Sequence, residues 1–310
     1  MVKYSLAVCF YGITMTGKRE DNREENYGTL YVVATPIGNL DDITLRALNV
    51  LRQVHSVAAE NISRTRALLN HYGIRTKLAS YREQNHIKQA SLIIRILQSG
   101  DSVALVTDAG TPCISDPGAY LVDQAYEHRI GVVPIPGPSA LTAALSVSGL
   151  ISDRYMFVGF LPRKSGKRRN ILKELSQEQA TMVFYEAPHR LNLMLSDMLS
   201  IFGNRQVAVF KEITKIFEDV KRGPLNVVIE QLTPEWIRGE FTVVVAGNDT
   251  MSKDHGQGKD ILKKVDARLL ENTSIKDIAT AVAGETGLSY RQAYKICIER
   301  KLCREKDGFS

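Results

Sequence analysis

The sequence has few cysteines and no long apolar run, and each scarcity argues against a class of protein. The four cysteines of this 310-residue chain, Cys9, Cys113, Cys297 and Cys303, lie far apart and form no CxxC pair. That pattern argues against a disulfide framework and against a zinc site. No stretch approaches the roughly eighteen apolar residues that a membrane-spanning helix needs. We therefore expect a protein of the reducing cytoplasm, with no metal and no membrane partner.

Phosphate-cradling motifs are also missing, because the chain contains neither a P-loop nor a GxGxxG fingerprint. Charge is nearly balanced: 40 basic and 34 acidic residues give a formal net charge of +6. A value this small does not establish a nucleic-acid partner, but it allows one if the cations cluster. The hydrophobic content of 44% and the length favour two domains plus a tail.

The first 27 residues predict a disordered extension. The apolar segment after Lys3 is short, is broken by Gly12 and Thr14, and has no small-residue cleavage site after it, so it makes a poor signal peptide. Residues 18–25 are almost all charged, which is typical of solvated coil. Met15 is an alternative start.

The loop Thr107–Gly118 carries the strongest signal of a binding site. It comes after the apolar run 102–106, which reads as a strand buried on both faces of a parallel sheet. Open α/β sheets bind ligands beyond the carboxyl ends of their strands, so a loop with two acids, two glycines and two prolines predicts a pocket. The alternative is an ordinary turn-rich connection.

From Gly28 the chain alternates between strand and helix patterns. Residues 28–136 predict a parallel, doubly wound α/β domain, in which Asp41 or Asp42 caps the first helix. Residues 137–248 predict a second α/β domain with a mixed sheet, and residues 249–310 a linker followed by a tail that resembles a helix-turn-helix. The predicted strands are 30–34, 54–59, 77–81, 102–106, 131–135, 155–160, 181–186, 206–211, 217–222 and 241–246.

Several short motifs occur in one order along residues 28–247. They are Thr35-Pro36-Ile37-Gly38-Asn39-Leu40 with Asp42, the Asp108–Gly118 loop, Pro136-Gly137-Pro138-Ser139, Gly159-Phe160-Leu161-Pro162, Phe184-Tyr185-Glu186-Ala187-Pro188-His189-Arg190 and Lys211-Glu212. Together they resemble the bacterial 16S ribosomal RNA cytidine 2'-O-methyltransferases of the tetrapyrrole methylase superfamily. The resemblance implies two α/β domains with S-adenosylmethionine in the cleft between them, and often a homodimer.

Two stretches depart from the family pattern. Where the family usually shows Ala-Glu-Asp-Thr-Arg, this chain has Ala59-Glu60-Asn61-Ile62-Ser63-Arg64, so an acid is lost and the arginine falls one position late. Where the family tends to have a His-rich stretch before an Asn-Glu pair, this chain reads Tyr81-Arg82-Glu83-Gln84-Asn85-His86. Both departures bear on placement of the RNA substrate more than on the cofactor.

The needs of S-adenosylmethionine select candidate cofactor residues. Its adenosine requires close backbone groups, and its sulfonium favours a nearby carboxylate. Asp108 and Asp116 are the carboxylate candidates, although Asp116 could serve only as a turn residue before Pro117 and Ser139 only as a helix cap. The full predicted set is Pro36, Gly38, Asn39, Asp108, Ala109, Gly110, Ser115, Asp116, Ser139 and Tyr185.

No catalytic base is obvious, since of the scattered histidines only His86 and His189 lie near predicted strand ends. Glu60, Glu186 and Lys211 are the candidates at such ends. Glu186 could instead form a simple salt bridge with Arg190. Because the sulfonium already activates the methyl group, we expect in-line positioning to carry most of the acceleration.

The clearest charge cluster is Arg163–Arg169, with five cations in seven residues around a glycine. Cations at a helix N-terminus oppose its dipole, so their concentration there favours an outside anion. We predict RNA contacts from Arg163, Lys164, Lys167, Arg168 and Arg169. The tail adds Arg291, Lys295, Arg300, Lys301 and Arg304.

Three functions remain open on the sequence alone. The favoured one, which the family resemblance implies, is S-adenosylmethionine-dependent 2'-O-methylation of a cytidine ribose in the decoding centre of 16S ribosomal RNA, acting on naked RNA or an assembled small subunit. The others are methylation of a tetrapyrrole precursor, and non-enzymatic nucleic-acid binding through the tail. Two separated basic segments favour RNA over a tetrapyrrole acid, and the Gly/Pro loops favour an enzyme over a simple binder.

Overall fold

The structure is a computed structural model that describes residues 26–248, 255–269 and 273–307. Nearly all of the predicted extension 1–27 and part of the predicted linker therefore lie outside the described residues. The chain divides into two units, the first running to Ala143 with Thr214–Ile216 added, and the second comprising the remainder.

The first unit is a parallel sheet with helices on both faces, as predicted. Its strands lie in the order β3-β2-β4-β1-β5 and pair in parallel. They are β1 (Thr29–Val33), β2 (Ser56–Ala59), β3 (Lys77–Ser80), β4 (Val103–Val106) and β5 (Gly131–Ile135). The helices are α1 (Leu45–Gln53), α2 (Ile62–His71), α3 (His86–Gln98) and α4 (Ala119–Glu127), followed by α5 (Ala140–Ser148) at the unit boundary.

Alternation along β4 produces two cores. Ala104 and Val106 pack into the cluster that holds Leu51 of α1, whereas Leu105 packs on the other face with Leu97 of α3 and Leu121 of α4. Residues of β4 are therefore buried on both sides, as the continuous apolar run predicts. The strand order reverses between β4 and β1, so the topological switch point lies at their carboxyl ends.

The predicted cap of the first helix is wrong. Asn39 caps a 3₁₀ turn, Leu40–Asp42, by accepting from the Asp41 amide, and Ile43 then returns to extended backbone. Helix α1 begins afresh after Thr44, whose hydroxyl accepts from the Ala47 amide at 3.1 Å. Asp41 and Asp42 thus lie inside the short turn, because the break at Ile43 separates them from α1.

The second unit contains a mixed sheet, also as predicted, in the order β6-β7-β10-β8-β9. β6 runs parallel to β7, and the other neighbours are antiparallel. The strands are β6 (Tyr155–Phe160), β7 (Thr181–Glu186), β8 (Gln206–Lys211), β9 (Asp219–Pro224) and β10 (Phe241–Val245). Helices α6 (Ser165–Glu174), α7 (Pro188–Phe202) and α8 (Leu225–Glu230) complete it, and a large cluster around Phe184, Met194 and Val243 forms its core.

Three further helices form the predicted tail: α9 (His255–Leu269), α10 (Ile275–Thr286) and α11 (Tyr290–Asp307). They pack around a separate small core that includes Val265, Ile278 and Cys297. Ser274 caps α10, and Gly287 ends it in the left-handed region at φ +71°, which glycine adopts readily. Among the described residues, no helix is long and apolar enough to cross a bilayer.

Candidate functional site

Three loops at the carboxyl edge of the first sheet are bonded to one another. After β1, Thr35 forms a two-way backbone bridge with Gly110 of the loop after β4, at 2.9 Å in each direction. The Thr111 hydroxyl lies 3.5 Å from the carbonyl oxygen of Pro138, in the loop after β5. The predicted cofactor residues other than Tyr185 all belong to these three loops, which meet at the switch point, whereas Tyr185 lies on β7 of the second unit.

The loop after β4 is held in an unusual backbone conformation. Cys113 and Ser115 have φ values of +70° and +65° although neither is glycine. Gly110 lies at φ +79°, and a Cβ there would lie 3.5 Å from the Ile37 side chain. Left-handed non-glycine residues cost on the order of 1 kcal/mol or more and tend to cluster at functional sites. The strain indicates a loop shaped for binding.

Glu60 faces this loop from the end of β2. Its Oε2 accepts the Thr107 hydroxyl at 2.7 Å and the Asp108 amide at 3.3 Å. The carboxylate thus fixes the start of the loop, a role compatible with positioning. Sequence reasoning missed Thr107, although its place directly after the apolar run could have marked it.

The two acids of the loop share a crowded acidic environment. Burial, followed by the neighbouring Glu60 charge, raises the pKa of Asp116 to about 6. The same two causes raise the pKa of Asp108, while Arg64 opposes them. Asp108 Oδ1 is buried and has no hydrogen-bond partner in the described structure. A cation bound beside these acids would relieve their mutual repulsion.

The departures from the family pattern have visible consequences. Asn61 caps α2 by accepting from the amides of Ser63 and Arg64. Arg64, one position late, still reaches Asp108, with Nη1 to Oδ2 at 3.0 Å. Arg82 donates from Nε to the Glu60 carbonyl at 3.0 Å. These two arginines, absent from the predicted site residues, both contact the acidic corner, the group formed by Glu60, Asp108 and Asp116.

In the second unit, Glu186 is buried at the end of β7. Its side chain is 0% exposed, and Oε2 lies 3.2 Å from Nη2 of Arg190. Oε1 accepts the Ala187 amide at 2.9 Å. Burial raises the pKa of the Glu186 carboxyl, against the lowering effect of the Ala187 amide and Arg190. This arrangement favours the salt-bridge interpretation over a catalytic one.

Lys211 ends β8, and the strand order places it at the same edge as Glu186. Both residues pair with Phe241 of the intervening strand β10, so their Cα atoms lie on the order of 10 Å apart. The Lys211 ammonium lies 5.7 Å from the centre of the Trp236 ring, and Lys221 lies 5.1 Å from it. Lys211 is therefore oriented by an aromatic ring, which the sequence pattern did not predict.

The basic cluster Arg163–Arg169, most of which forms the first turn of α6, separates into two kinds of cation. Arg163, Lys164 and Lys167 are exposed. Arg168 is instead buried, with a side chain 5% exposed and Nη2 2.7 Å from Asp197 of α7. Arg169 also pairs with Asp197, at 2.6 Å, and is partly exposed. The Arg168 guanidinium is consequently committed to the fold rather than to a phosphate.

Most of the tail cations described also have protein partners. Arg300 donates from two nitrogens to the Asp266 carboxylate, at 2.9 and 2.7 Å. Arg291 lies 3.2 Å from Asp153, and Lys295 lies 3.9 Å from Glu299. The Arg304 side chain lies outside the described residues. The exposed cations of the Arg163–Arg169 cluster are therefore better placed to bind an outside anion than those of the tail.

No cluster of His, Cys, Asp and Glu suited to a metal ion occurs among the described side chains. Cys113 and Cys297 are free thiols, and burial raises the pKa of both.

Comparison with known proteins gives consistent matches over most of the chain. Residues 29–228 match the family model described as Tetrapyrrole (Corrin/Porphyrin) Methylases. A Pseudomonas aeruginosa protein named ribosomal RNA small subunit methyltransferase I is 45% identical over 277 residues, which cover 88% of this chain and 98% of that protein. The protein of that name from Xylella fastidiosa is 49% identical over 223 residues, covering 71% and 82%.

Among solved structures, uroporphyrin-III C-methyltransferase from Thermus thermophilus, complexed with S-adenosylhomocysteine, matches with a TM-score of 0.52. The sequence identity is 19%, and the match covers 71% of this chain and 97% of that one. At this identity the likeness concerns the fold alone.

Proposed function

Because this chain belongs to the tetrapyrrole methylase family, with close relatives named ribosomal RNA small subunit methyltransferase I, it is an S-adenosylmethionine-dependent ribosomal RNA methyltransferase, and we propose that it methylates the 2'-hydroxyl of a cytidine in the decoding centre of 16S RNA. Identity of 45% across 88% of the chain is the observation that supports the choice of an RNA substrate. The 2'-O position and the cytidine rest on the motif resemblance.

The residues at the switch point fit S-adenosylmethionine. Asp108 Oδ1 is a buried oxygen without a partner, and a cationic sulfonium would satisfy it. Gly110 lies at φ +79° and has no side chain, so a ligand can approach its backbone more closely than it could approach that of a larger residue. When bound, the cofactor supplies a methyl group that its sulfonium activates.

We assign two tasks to this set of residues. Asp108 and Asp116 would bind and orient the positive end of the cofactor. Backbone and side-chain groups of the loops would hold its adenosine, and these come from Pro36, Gly38, Asn39, Ala109, Gly110, Ser115 and Ser139.

The ribose hydroxyl must lose a proton as it reacts. Glu60 and Lys211 are the candidate groups, whereas Glu186 is buried against Arg190. General-base assistance typically contributes about 10²–10⁴-fold, so positioning would supply the remainder. On the RNA side, Arg163, Lys164 and Lys167 would contact backbone phosphates, with Arg169 as a secondary contact.

We further propose that the substrate is 16S RNA, either naked or within an assembled small subunit, and that the enzyme acts in the cytoplasm as a homodimer. Size-exclusion chromatography with light scattering would test the oligomeric state. A monomer that retains full activity would contradict the dimer.

The reaction is tested by incubating the protein with methyl-labelled cofactor and one of three acceptors: small subunits, naked 16S RNA or a tetrapyrrole precursor. We expect label in RNA, at one ribose that resists alkaline cleavage. Label in the tetrapyrrole alone would contradict the RNA assignment. Label on a base would contradict the 2'-O assignment while leaving RNA methylation in place.

A further inference from the structure

An aromatic cluster with one exposed ring, that of Phe160, lies at the carboxyl end of the edge strand β6. Side chains alternate between the faces of a regular strand, so Phe157 and Phe160, three residues apart, would point in opposite directions. The pairing register shifts between Phe157 and Gly159, which lies at φ +71°. This bulge pairs Phe160 with Tyr185 and brings both phenylalanines to the Tyr185 face.

The three rings touch one another through Tyr185. The Tyr185 centroid lies 5.0 Å from that of Phe157 and 5.7 Å from that of Phe160, both in edge-to-face arrangements. Phe160 is nevertheless 57% exposed. Its edge contact with Tyr185 steadies the ring and leaves much of its area available for stacking.

The backbone that follows Phe160 is anchored by two partly or fully buried arginines. Arg190, paired with Glu186, donates to the Leu161 carbonyl. Arg168, paired with Asp197, lies within 3.5 Å of the Arg163 carbonyl. The segment from Phe160 to Arg163 is thus fixed from behind by ion pairs that do not themselves face solvent.

Exposed cations follow directly along the chain. Arg163 is three residues from Phe160, a backbone span of at most about 11 Å, and Lys164 and Lys167 come next at the start of α6. An exposed ring beside a row of cations is the combination that binds single-stranded nucleic acid, because bases stack on the ring while cations hold the phosphates.

We propose that Phe160 is a stacking platform for an unpaired base of the RNA substrate, with Arg163, Lys164 and Lys167 on the adjoining phosphates. The inference rests on the proposed function, since it assumes that RNA is the substrate. It adds that the substrate nucleotides bound here are single-stranded, because a base inside a helix has no free face to offer.

The test compares Phe160→Leu, Phe160→Trp and the wild type for affinity to 16S RNA over a range of salt concentrations. Phe160→Leu should weaken RNA binding about 5- to 150-fold. The slope of log K against log salt should not change, since stacking releases no counterions. Phe160→Trp should restore affinity, and cofactor affinity measured by calorimetry should be equal in all three.

Tyr155→Leu is the matched control. Tyr155 is an exposed aromatic residue at the other end of the same strand, 50% exposed, and its loss should leave RNA affinity unchanged. A second measurement needs no variant: single abasic riboses are placed in an oligoribonucleotide spanning the methylated site. At one position, the abasic ribose should weaken binding to the wild type as much as Phe160→Leu weakens binding of the intact oligoribonucleotide. Combining the abasic ribose with Phe160→Leu should then cause no further loss of affinity.

Unchanged RNA affinity in Phe160→Leu, weakened cofactor binding, or additivity at every abasic position would overturn the stacking role. Failure of the wild type to bind or methylate RNA would instead overturn the proposed function. The wild-type measurements distinguish these two failures before any variant is considered.

Discussion

Asp116 shows how a residue's chemistry depends on its neighbours. Its pKa of about 6 results from burial and from the charge of Glu60. An aspartate with an ordinary pKa of 3.8 would be ionised throughout the neutral range, whereas this one changes charge near pH 6. The folded, cofactor-free protein therefore binds this proton more tightly than the unfolded chain does.

The first prediction follows from this tighter binding of the proton by the folded protein. Between about pH 4 and 6 the unfolding free energy of the cofactor-free protein should fall as pH rises, because the folded state holds the Asp116 proton more tightly than the unfolded chain. Cofactor affinity should rise up to about tenfold from pH 5 to 7, because the ionised carboxylate attracts the sulfonium. Calorimetry and denaturant unfolding across this pH range measure both effects.

Asp116→Asn should flatten both profiles in part, leaving the contribution of Asp108. Asp123→Asn is the matched control, since Asp123 lies on α4, outside the acidic corner. If Asp116→Asn kept the pH dependence of the wild type, Asp116 would not be part of the cofactor site.

The catalytic candidates give the second prediction. In single-turnover methyl transfer at saturating cofactor and RNA, Glu60→Gln, Glu186→Gln and Lys211→Met should each lose no more than about 10⁴-fold, because positioning carries most of the rate. Glu186→Gln should in addition lower the melting temperature, since it leaves Arg190 buried without its partner. A larger loss in one variant, with both affinities intact, would identify an essential base and contradict the positioning account.

At the scale of elements, the loop after β4 is defined by backbone conformation more than by its side chains. Gly110 bridges to Thr35 and lies in the left-handed region. Our third prediction is that Gly110→Leu abolishes cofactor binding, because its side chain would occupy the approach to the backbone.

Gly73→Leu supplies the control for backbone strain. Gly73 also has a positive φ, +64°, with no atom within 4 Å of an added Cβ. Both variants should lose stability to a similar degree, as left-handed leucine is unfavourable at each. Only Gly110→Leu should lose binding in calorimetry, and equal affinity in the two variants would remove this loop from the site.

The start of α6 gives the fourth prediction. Replacing Arg163, Lys164 and Lys167 together by alanine should weaken RNA binding and flatten the slope of log K against log salt by about 0.7 to 0.9 per lost contact. Cofactor affinity should not change. A control triple variant at Lys77, Lys88 and Arg95, exposed cations of the first unit, removes the same charge and should leave the slope nearly intact. Equal slopes in the two variants would show that the cations at the start of α6 contribute only net charge.

At the scale of the whole molecule, the hydrophobic residues form separate cores. The tail helices pack around Ile278, Val282 and Cys297, apart from the core of the second sheet. The fifth prediction is that Ile278→Ala, which costs about 2–5 kcal/mol, lowers hydrogen-exchange protection in α9–α11. Cofactor affinity should stay the same, because the elements that carry the predicted cofactor residues pack around other hydrophobic cores. A matching loss of cofactor affinity would show that the tail and the cofactor site fold as one unit.

Local sequence patterns were enough to predict the layered plan. Apolar runs such as 102–106 and the helix stripes between them are local patterns, so they predict strands and helices without knowledge of the partners. The parallel order in the first unit, the mixed sheet in the second and the loops at strand ends all agree with that prediction. The cap of α1 was missed because Ile43 interrupts the turn, a backbone choice that residue types alone do not dictate.

Which side chains remain available for a ligand depends on contacts between residues that are far apart in the chain. Arg168 and Lys167 are neighbours of like charge in the sequence, yet Arg168 is buried against Asp197, 29 residues away. Phe160 joins Tyr185 only because of the bulge at Gly159, and Asp116 acquires its pKa only beside Glu60. Burial, pairing and electrostatic coupling depend on residues distant along the chain, so local sequence patterns could nominate these groups but could not assign their roles.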